Sequence, residues 1–454
     1  MPEEHGAHAD AARARETALA ARSRASAGAD RVLTAAVDDA AAHARAGRRR
    51  LDAIGAEIRD ALADGSTLAL DTPSGARQFQ LFLAAKTRDI RRVVGDAVAD
   101  SRAGAKLLQS TGAGYSVAAR VRDRVNRQLL AADISRVENA TEPISAADRV
   151  RYDNAVRVRE GLRANANADT DAGPALLLSY DPMAFDGLGR AAIAIGDPDL
   201  ADNTTVLVPG AHSSVRDGYL SHPDGLNVYR EVCRADPVRT NSVIMWMGYR
   251  APDSLLDLQV AQPDSARAGG RLLAADVNAL RLTHRGAAHI TVIGHSYGST
   301  TVADAAAGFG MRADDVVLVG SPGTDLARRA ADFHLPAAGH VYVGAASTDP
   351  ITGLGGEPQL TVPGTAATVG LGADPAADGY GSTRFKAEGR GLASPMSAHS
   401  SYFKPGNEAL FSIGDIASGH GDALARDHMT APHRRRLPAF DPERLRPGSG
   451  DHRH

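Results

Sequence analysis

From about residue 170 the chain is a series of short apolar runs cut by glycine, proline and aspartate. Ala175 to Tyr180, Ala191 to Ile195, Val206 to Val208, Val243 to Trp246, Ile290 to Ile293, Val316 to Val319 and Val341 to Val343 each read as strands, and Ile290 to Ile293 is a β-branched run of the kind that forms a buried one. From Asn227 onward helical stretches intervene, at Val228 to Cys233, Ala266 to Thr283, Ser299 to Ala307 and Leu326 to Asp332. An opening antiparallel hairpin followed by alternating strand and helix implies an α/β fold, a largely parallel sheet with helices on both faces. Sites on such sheets lie at the C-terminal ends of the strands.

Residues 1 to about 165 follow a different pattern. They are rich in Ala, Arg, Asp and Glu with helical spacing, as in Leu51, Ile54, Ile58 and Leu62, and again in Ile90, Val93, Val94 and Val98. Pro73 and the Gly112-Ala113-Gly114 cluster punctuate these helices, and Ser145 is placed to cap one running to about Arg163. The first forty residues have few large apolar side chains, which predicts fraying or dependence on a partner. The expected organisation is an all-α N-terminal domain over 1–165, an α/β domain over 166–431, and a disordered Arg/His/Pro-rich tail over 432–454. His433, His452 and His454 in that tail lack ligand spacing and are expected to be solvated. Residues Pro350 to Ser382 read as loops forming a pocket wall or lid.

A length of 454 residues suits two domains, and a net charge of −3 argues against nucleic acid as a partner. The single cysteine, Cys233, excludes an internal disulfide framework. The N-terminus lacks the basic and apolar regions of a signal peptide, and no run reaches the length of a membrane span. The expected location is cytoplasmic, with export by a route independent of a signal peptide left open.

The candidate chemistry lies at Gly294-His295-Ser296-Tyr297-Gly298, between the strand Ile290 to Ile293 and a helix. A G-x-S-x-G in that setting is a nucleophile elbow, a strained turn that presents the serine hydroxyl above the sheet. Serine needs a base, and the base needs an orienting carboxylate, in the chain order Ser, acid, His. Asp349 follows the second strand after Ser296, where the acid is expected; Asp325 is its rival and could instead cap a helix. His399 follows a last strand at Thr383 to Ala387 and precedes a helix around Asn407 to Ala417, which suits the base. His420 and His340 compete, although His340 precedes its strand and so belongs at the wrong end of the sheet. The oxyanion donors are expected to be the N–H groups of Tyr297 and Ala211, with His212 lining the pocket and Trp246 to Tyr249 forming an apolar wall.

With these residues in place, the stretch from about 170 to 420 resembles the actinobacterial α/β-hydrolase family catalogued as a domain of unknown function. The resemblance rests on Gly189-Arg190-Ala191-Ala192 through Gly196-Asp197-Pro198, Val208-Pro209-Gly210, Trp246 to Pro252, Gly294 to Ser299, and His399-Ser400-Ser401-Tyr402-Phe403. Alanine-rich composition with only four lysines agrees with a high-GC source. The resemblance implies a Ser296, Asp349 and His399 triad, hydrolase chemistry on no settled substrate, and an association of some members with secretion-linked loci. The leading expectation is a serine hydrolase that cleaves a small-molecule or lipid ester without metal or cofactor. The alternatives are an amidase or peptidase using the same triad, or a non-enzymatic interaction protein whose N-terminal helices bind a protein partner.

Overall fold

A computed structural model of the chain describes residues 45–63, 72–110, 118–141, 143–166, 174–253, 263–356, 360–361, 368–369, 371–389, 395–436, 439–446 and 449–454. The chain divides into two compact units, 1–117 and 118–454. In the first, helix α1 (residues 45–63) and helix α2 (Pro73–Ser110) are joined by an ion pair of Lys86 with Glu57. Ile54 and Val93 are buried, whereas Leu62, Leu81 and Val94 are exposed. The glycine cluster at 112–114 and the first forty residues lie outside the described residues.

The second unit is built on an eight-stranded sheet of order β1-β2-β4-β3-β5-β6-β7-β10. Its strands are β1 (Ala175–Asp181), β2 (Arg190–Ile195), β3 (Asn203–Val208), β4 (Asn241–Met247), β5 (His289–His295), β6 (Asp315–Val319), β7 (Val341–Gly344) and β10 (Thr383–Phe385). The small hairpin β8 (Leu360–Thr361) with β9 (Thr368–Val369) stands apart from the sheet. Within the eight-stranded sheet, β2 pairs antiparallel with both β1 and β4, and the other pairings are parallel. The expected architecture therefore forms. Side chains alternate between two cores, as a strand period of two requires. Val206, Val208, Val292, Val316 and Leu318 face one core, and Leu207, Ile293, Val317 and Val319 face the other. Helices α7 (Asp264–Thr283) and α8 (Tyr297–Phe309) cover the first, while α6 (Asp224–Ala235) and α10 (Glu408–Ala417) cover the second.

The expected domain boundary near 165 is corrected by what covers β1. Helices α3 (Ala119–Glu138) and α4 (Ala146–Ala166) belong to the sheet unit. Ser145 does cap α4, its hydroxyl accepting the Asp148 N–H at 3.1 Å. Strand β1 is an edge strand, whose open backbone groups need partners. Side chains of α3 supply them. Asp123 Oδ1 accepts from Leu177 N (2.7 Å), Asn126 Nδ2 donates to Leu177 O (2.9 Å) and Arg127 Nη2 donates to Ala175 O (2.6 Å). Leu130, Ile134, Val158 and Leu162 of these helices are buried in the first core.

At 1.5–3 kcal/mol per fully buried aliphatic side chain, those four contribute roughly 10 kcal/mol, comparable with a whole domain's stability. A chain beginning at Asp169 is therefore expected to be insoluble or molten, and one beginning at Ala118 to give a single cooperative melt. Equal melting of the two truncations would refute the assignment of α3 and α4 to this unit.

The helix expected over Leu326 to Asp332 is replaced by a 3-10 turn at Ala330–Phe333. Asp304 accepts from Leu326 N, and Asp332 accepts from Arg328 N and Arg329 N.

The tail expected to be disordered is, over its described residues, tied to the sheet unit. His433 Nε2 bonds Ser382 O at 2.8 Å, and Arg434 and Asp441 join a buried ion network with Arg384. His454 stacks on Phe411 with centroids 4.0 Å apart, and its two ring nitrogens meet Glu231 (3.1 Å) and Asp415 (3.0 Å). Burial disfavours the imidazolium, but bonds to Asp415 and Glu231 outweigh it and raise the pKa to about 9. A raised folded-state value means the stabilisation is complete below the unfolded histidine's pKa, about 6.5, and is lost as pH rises through about 9. The melting-temperature advantage of the native protein over His454→Phe should therefore shrink between pH 6.5 and 9.5. An advantage constant across that range would overturn the ion-pair account.

Candidate active site

Ser296 sits between β5 and α8 with φ 55° and ψ −131°, a conformation that a non-glycine residue holds only at some cost. The turn is tight. A Cβ on Gly294 would lie 2.5 Å from Ser299 Cα, and one on Gly298 would lie 2.4 Å from the carbonyl oxygens of Val208 and Pro209. Glycine at both ends is therefore steric, and it brings the end of β3 against the start of α8. The Ser296 side chain is buried, and its Oγ makes no hydrogen bond among the described residues.

Parallel register carries the neighbouring strand ends to the same place. Val208 pairs with Gly294, His295 with Val319, and Val319 with Gly344. Ser296 N donates to Val319 O at 2.9 Å. The next residue, Gly320 (φ 61°), marks the convergence: a Cβ there would be 3.1 Å from His399 Cε1 and 3.2 Å from Asp349 Oδ2. Asp349 follows β7, and His399 closes the short helix α9 (Pro395–His399).

His399 Nδ1 donates to Asp349 Oδ2 at 2.8 Å, which leaves Nε2 as the ring's basic nitrogen. Burial works against the Asp349 charge. Its bonds from His399, from the Tyr402 hydroxyl (2.7 Å) and from Ile351 N (2.9 Å) outweigh that and hold its pKa below the usual carboxylate value. His295 Nε2 donates to the His399 carbonyl oxygen at 2.8 Å, with the two rings 4.8 Å apart. Burial first, then the nearby His399, lowers the His295 pKa to about 4, so its ring is neutral near pH 7.

The residues expected to donate to an oxyanion flank the serine. Tyr297 begins α8, and Ala211 follows Gly210, where a Cβ would be 3.0 Å from Ser296 Oγ. The fully buried Tyr249 anchors that loop by donating its hydroxyl to Pro209 O at 2.6 Å. Trp246 stacks on Tyr249 and gives its indole N–H to Asp276, so this wall is braced by hydrogen bonds as well as apolar. His212 takes a left-handed φ of 60° and donates its N–H to Pro252 O.

The rival residues are engaged elsewhere. Asp325 pairs with Arg267 (2.7 Å), His420 with Asp236 (3.0 Å), and His340 with Asp315 (3.8 Å). Strand counting does not reveal Tyr402 or His295 as site residues, and it expects Tyr249 in an apolar wall without its hydrogen bond to Pro209 O. Tyr402, three residues after His399, is quoted above only as part of a family block.

Over residues 185–361 the chain matches the family described as alpha/beta hydrolase, and over 5–120 one described as a domain of unknown function (DUF4226). An uncharacterized protein of Mycobacterium tuberculosis is 51% identical over 333 residues, 69% of this chain and 50% of that protein. The chain thus spans about half the length of the first relatives it matches. Another uncharacterized protein of that species is 34% identical over 186 residues, 38% of this chain and 69% of that protein. Among solved structures, a thermophilic carboxylesterase cloned from a metagenomic library aligns with TM-score 0.33 at 14% identity, covering 61% of this chain and 99% of that one. Among the described residues, no helix is long and apolar enough to cross a membrane.

Proposed function

We propose that this chain, which belongs to the alpha/beta hydrolase family, cleaves carboxylic esters through an acyl-enzyme formed on Ser296. The observation that carries this reading is the buried Asp349–His399 hydrogen bond beside a serine on a strained strand-to-helix turn. In the first step Ser296 Oγ attacks the ester carbonyl carbon while His399 Nε2 takes its proton. The N–H groups of Tyr297 and Ala211 receive the carbonyl oxygen as it becomes an oxyanion, an interaction whose loss costs roughly 2.7–4 kcal/mol per donor in known hydrolases. Collapse breaks the C–O bond, and the His399 imidazolium protonates the departing alkoxide. Water then repeats the sequence on the acyl-enzyme, releasing the acid and restoring Ser296.

Asp349 accepts from Nδ1 throughout, which fixes the tautomer and supports the imidazolium. The serine–imidazole hydrogen bond forms in this scheme when substrate fills the site, since such bonds commonly tighten only in the complex. Ester rather than amide cleavage is the reading because alkoxide departure demands less of the general acid than amine departure.

Incubation of the full chain with a fluorophosphonate should attach one label per molecule, on the peptide containing Ser296. A p-nitrophenyl ester should be hydrolysed and the matching p-nitroanilide left intact. Labelling at another residue would reject the nucleophile, and cleavage of the anilide alone would reject the substrate class.

A further inference from the structure

We infer that Tyr402 is a positioning residue that couples the acid and base turns and sets how strongly Asp349 supports the His399 imidazolium. The inference rests on the triad reading above. The Tyr402 hydroxyl donates to Asp349 Oδ2 at 2.7 Å, the same oxygen that accepts His399 Nδ1–H. The hydroxyl oxygen also accepts the N–H of Ala346 at 3.2 Å. One lone pair is thereby occupied from β7's side, and the hydroxyl proton is directed to the carboxylate. Ala346 lies three residues before Asp349, and Tyr402 three residues after His399, so one phenol ties both turns.

A fully buried phenol needs partners for its hydroxyl, and here both hydrogen-bonding capacities are used. Burial and the adjacent Asp349 raise its pKa, so it stays a donor. Its chemical effect follows from sharing. Each donor on Oδ2 takes part of the carboxylate's charge, so the Tyr402 bond weakens the pull of Asp349 on the imidazolium. Without it Asp349 would support the imidazolium more strongly, and His399 would hold its proton more tightly.

Among the described residues, three further groups bear on the pair. His295 from β5 presents a neutral ring to His399 and stands 5.9 Å from Tyr402. Asp224, at the start of α6, contributes a distant field at His295. Behind the acid turn, Arg434 donates to Thr352 O and Oγ1, and the Thr352 hydroxyl donates to Asp349 O. A change confined to the Tyr402 hydroxyl leaves all of these in place.

The test measures kcat and KM against pH for a short-chain p-nitrophenyl ester, using the full chain, Tyr402→Phe, and a chain with 3-fluorotyrosine at 402. Tyr402→Phe should move the acid limb of kcat/KM up by on the order of one pH unit and lower kcat about 10- to 100-fold, with KM nearly unchanged. Fluorination makes the phenol a stronger donor while keeping both bonds, so the limb should move down. A phenylalanine variant whose acid limb coincides with that of the native chain overturns the inference, as do two variants shifted in the same direction. If Tyr402→Phe fails to fold, the fluorinated chain decides alone, and an unmoved limb there counts against the proposal. A native chain that fluorophosphonate does not label at Ser296 fails the triad reading itself. Normal labelling with an unshifted limb fails only the role of Tyr402.

Discussion

Ser296→Ala is expected to lose ester turnover by roughly 10³- to 10⁶-fold and to lose all fluorophosphonate labelling. The size follows from what the hydroxyl does in the proposed reaction, where it forms the covalent bond. What remains should be the modest rate of substrate held near the oxyanion donors and attacked by water. His399→Ala should fall nearly as far, and the double variant with Ser296→Ala should fall no further. A base has no function without the nucleophile whose proton it accepts, so their losses cannot add. Asp349→Asn should be less severe, because it retains the turn while reversing the hydrogen-bond demand on Nδ1. Steady-state kinetics on the four variants decides the matter. Additive losses would mean that Ser296 and His399 do not act as one unit, and a Ser296→Ala enzyme with near-native turnover would remove the nucleophile assignment. Acidification should abolish native turnover, since a protonated imidazole cannot accept the serine's proton.

The largest stability effect is expected outside the site, from Asp441→Ala. Arg384 is completely buried and pairs with both oxygens of Asp441 at 2.9 Å, while Arg434 reaches the same carboxylate at 2.8 Å. Removing the carboxylate leaves the fully buried Arg384 guanidinium without its counter-charge and takes one of two carboxylates from the mostly buried Arg434, which keeps Asp374 at 3.4 Å; breaking such a buried pair typically costs about 3–5 kcal/mol. Against a domain stability of roughly 5–15 kcal/mol, that should lower the melting temperature by on the order of 10 °C.

Replacing both ends, as in Arg384→Met with Asp441→Leu, should recover much of the loss because the desolvation cost of both ions disappears. A pH dependence accompanies the effect. Burial opposes the Asp441 charge, but Arg384 and Arg434 outweigh it and depress its pKa. A depressed carboxyl stabilises above the unfolded value and loses that contribution as pH falls through the folded one. The native protein should therefore lose more stability on acidification than Asp441→Ala does. Thermal melts of the three proteins at neutral and acidic pH test both statements, and an Asp441→Ala protein within about 1 kcal/mol of native would refute the network's importance.

The same network bears on the site. Arg384 donates to Ala345 O, and Arg434 to Thr352 O, on either side of Asp349. Arg434 and Asp441, in a stretch read from composition as disordered, thus brace the turn that carries Asp349. Composition misleads here because arginine and proline counts say nothing of the buried carboxylate at 441 or of Arg384, 57 positions away from it.

Much of the sheet was legible because its information is local. Buried aliphatic runs such as Val316 to Val319 mark strands by their own residue types, and Gly294-x-Ser296-x-Gly298 marks a turn whose two close approaches only glycine tolerates. Chain order then leads to Asp349 and His399, which the fold brings into hydrogen-bond contact. What the sequence by itself determined is therefore the strand succession, the elbow, the Ser145 cap and the approximate place of each strand end.

The tertiary structure alone decided that α3 and α4 belong with the sheet, because polar side chains of α3 complete an edge strand some fifty residues later in the chain and apolar side chains of both helices are buried in its first core. It also decided that His454 is charged by Glu231 and Asp415, and that Tyr402 shares the oxygen His399 uses. Each of these depends on where a polar group finds its partner through space. Periodicity and turn chemistry act over a few residues, whereas the pairing of buried polar groups is fixed only when the whole chain has closed around them.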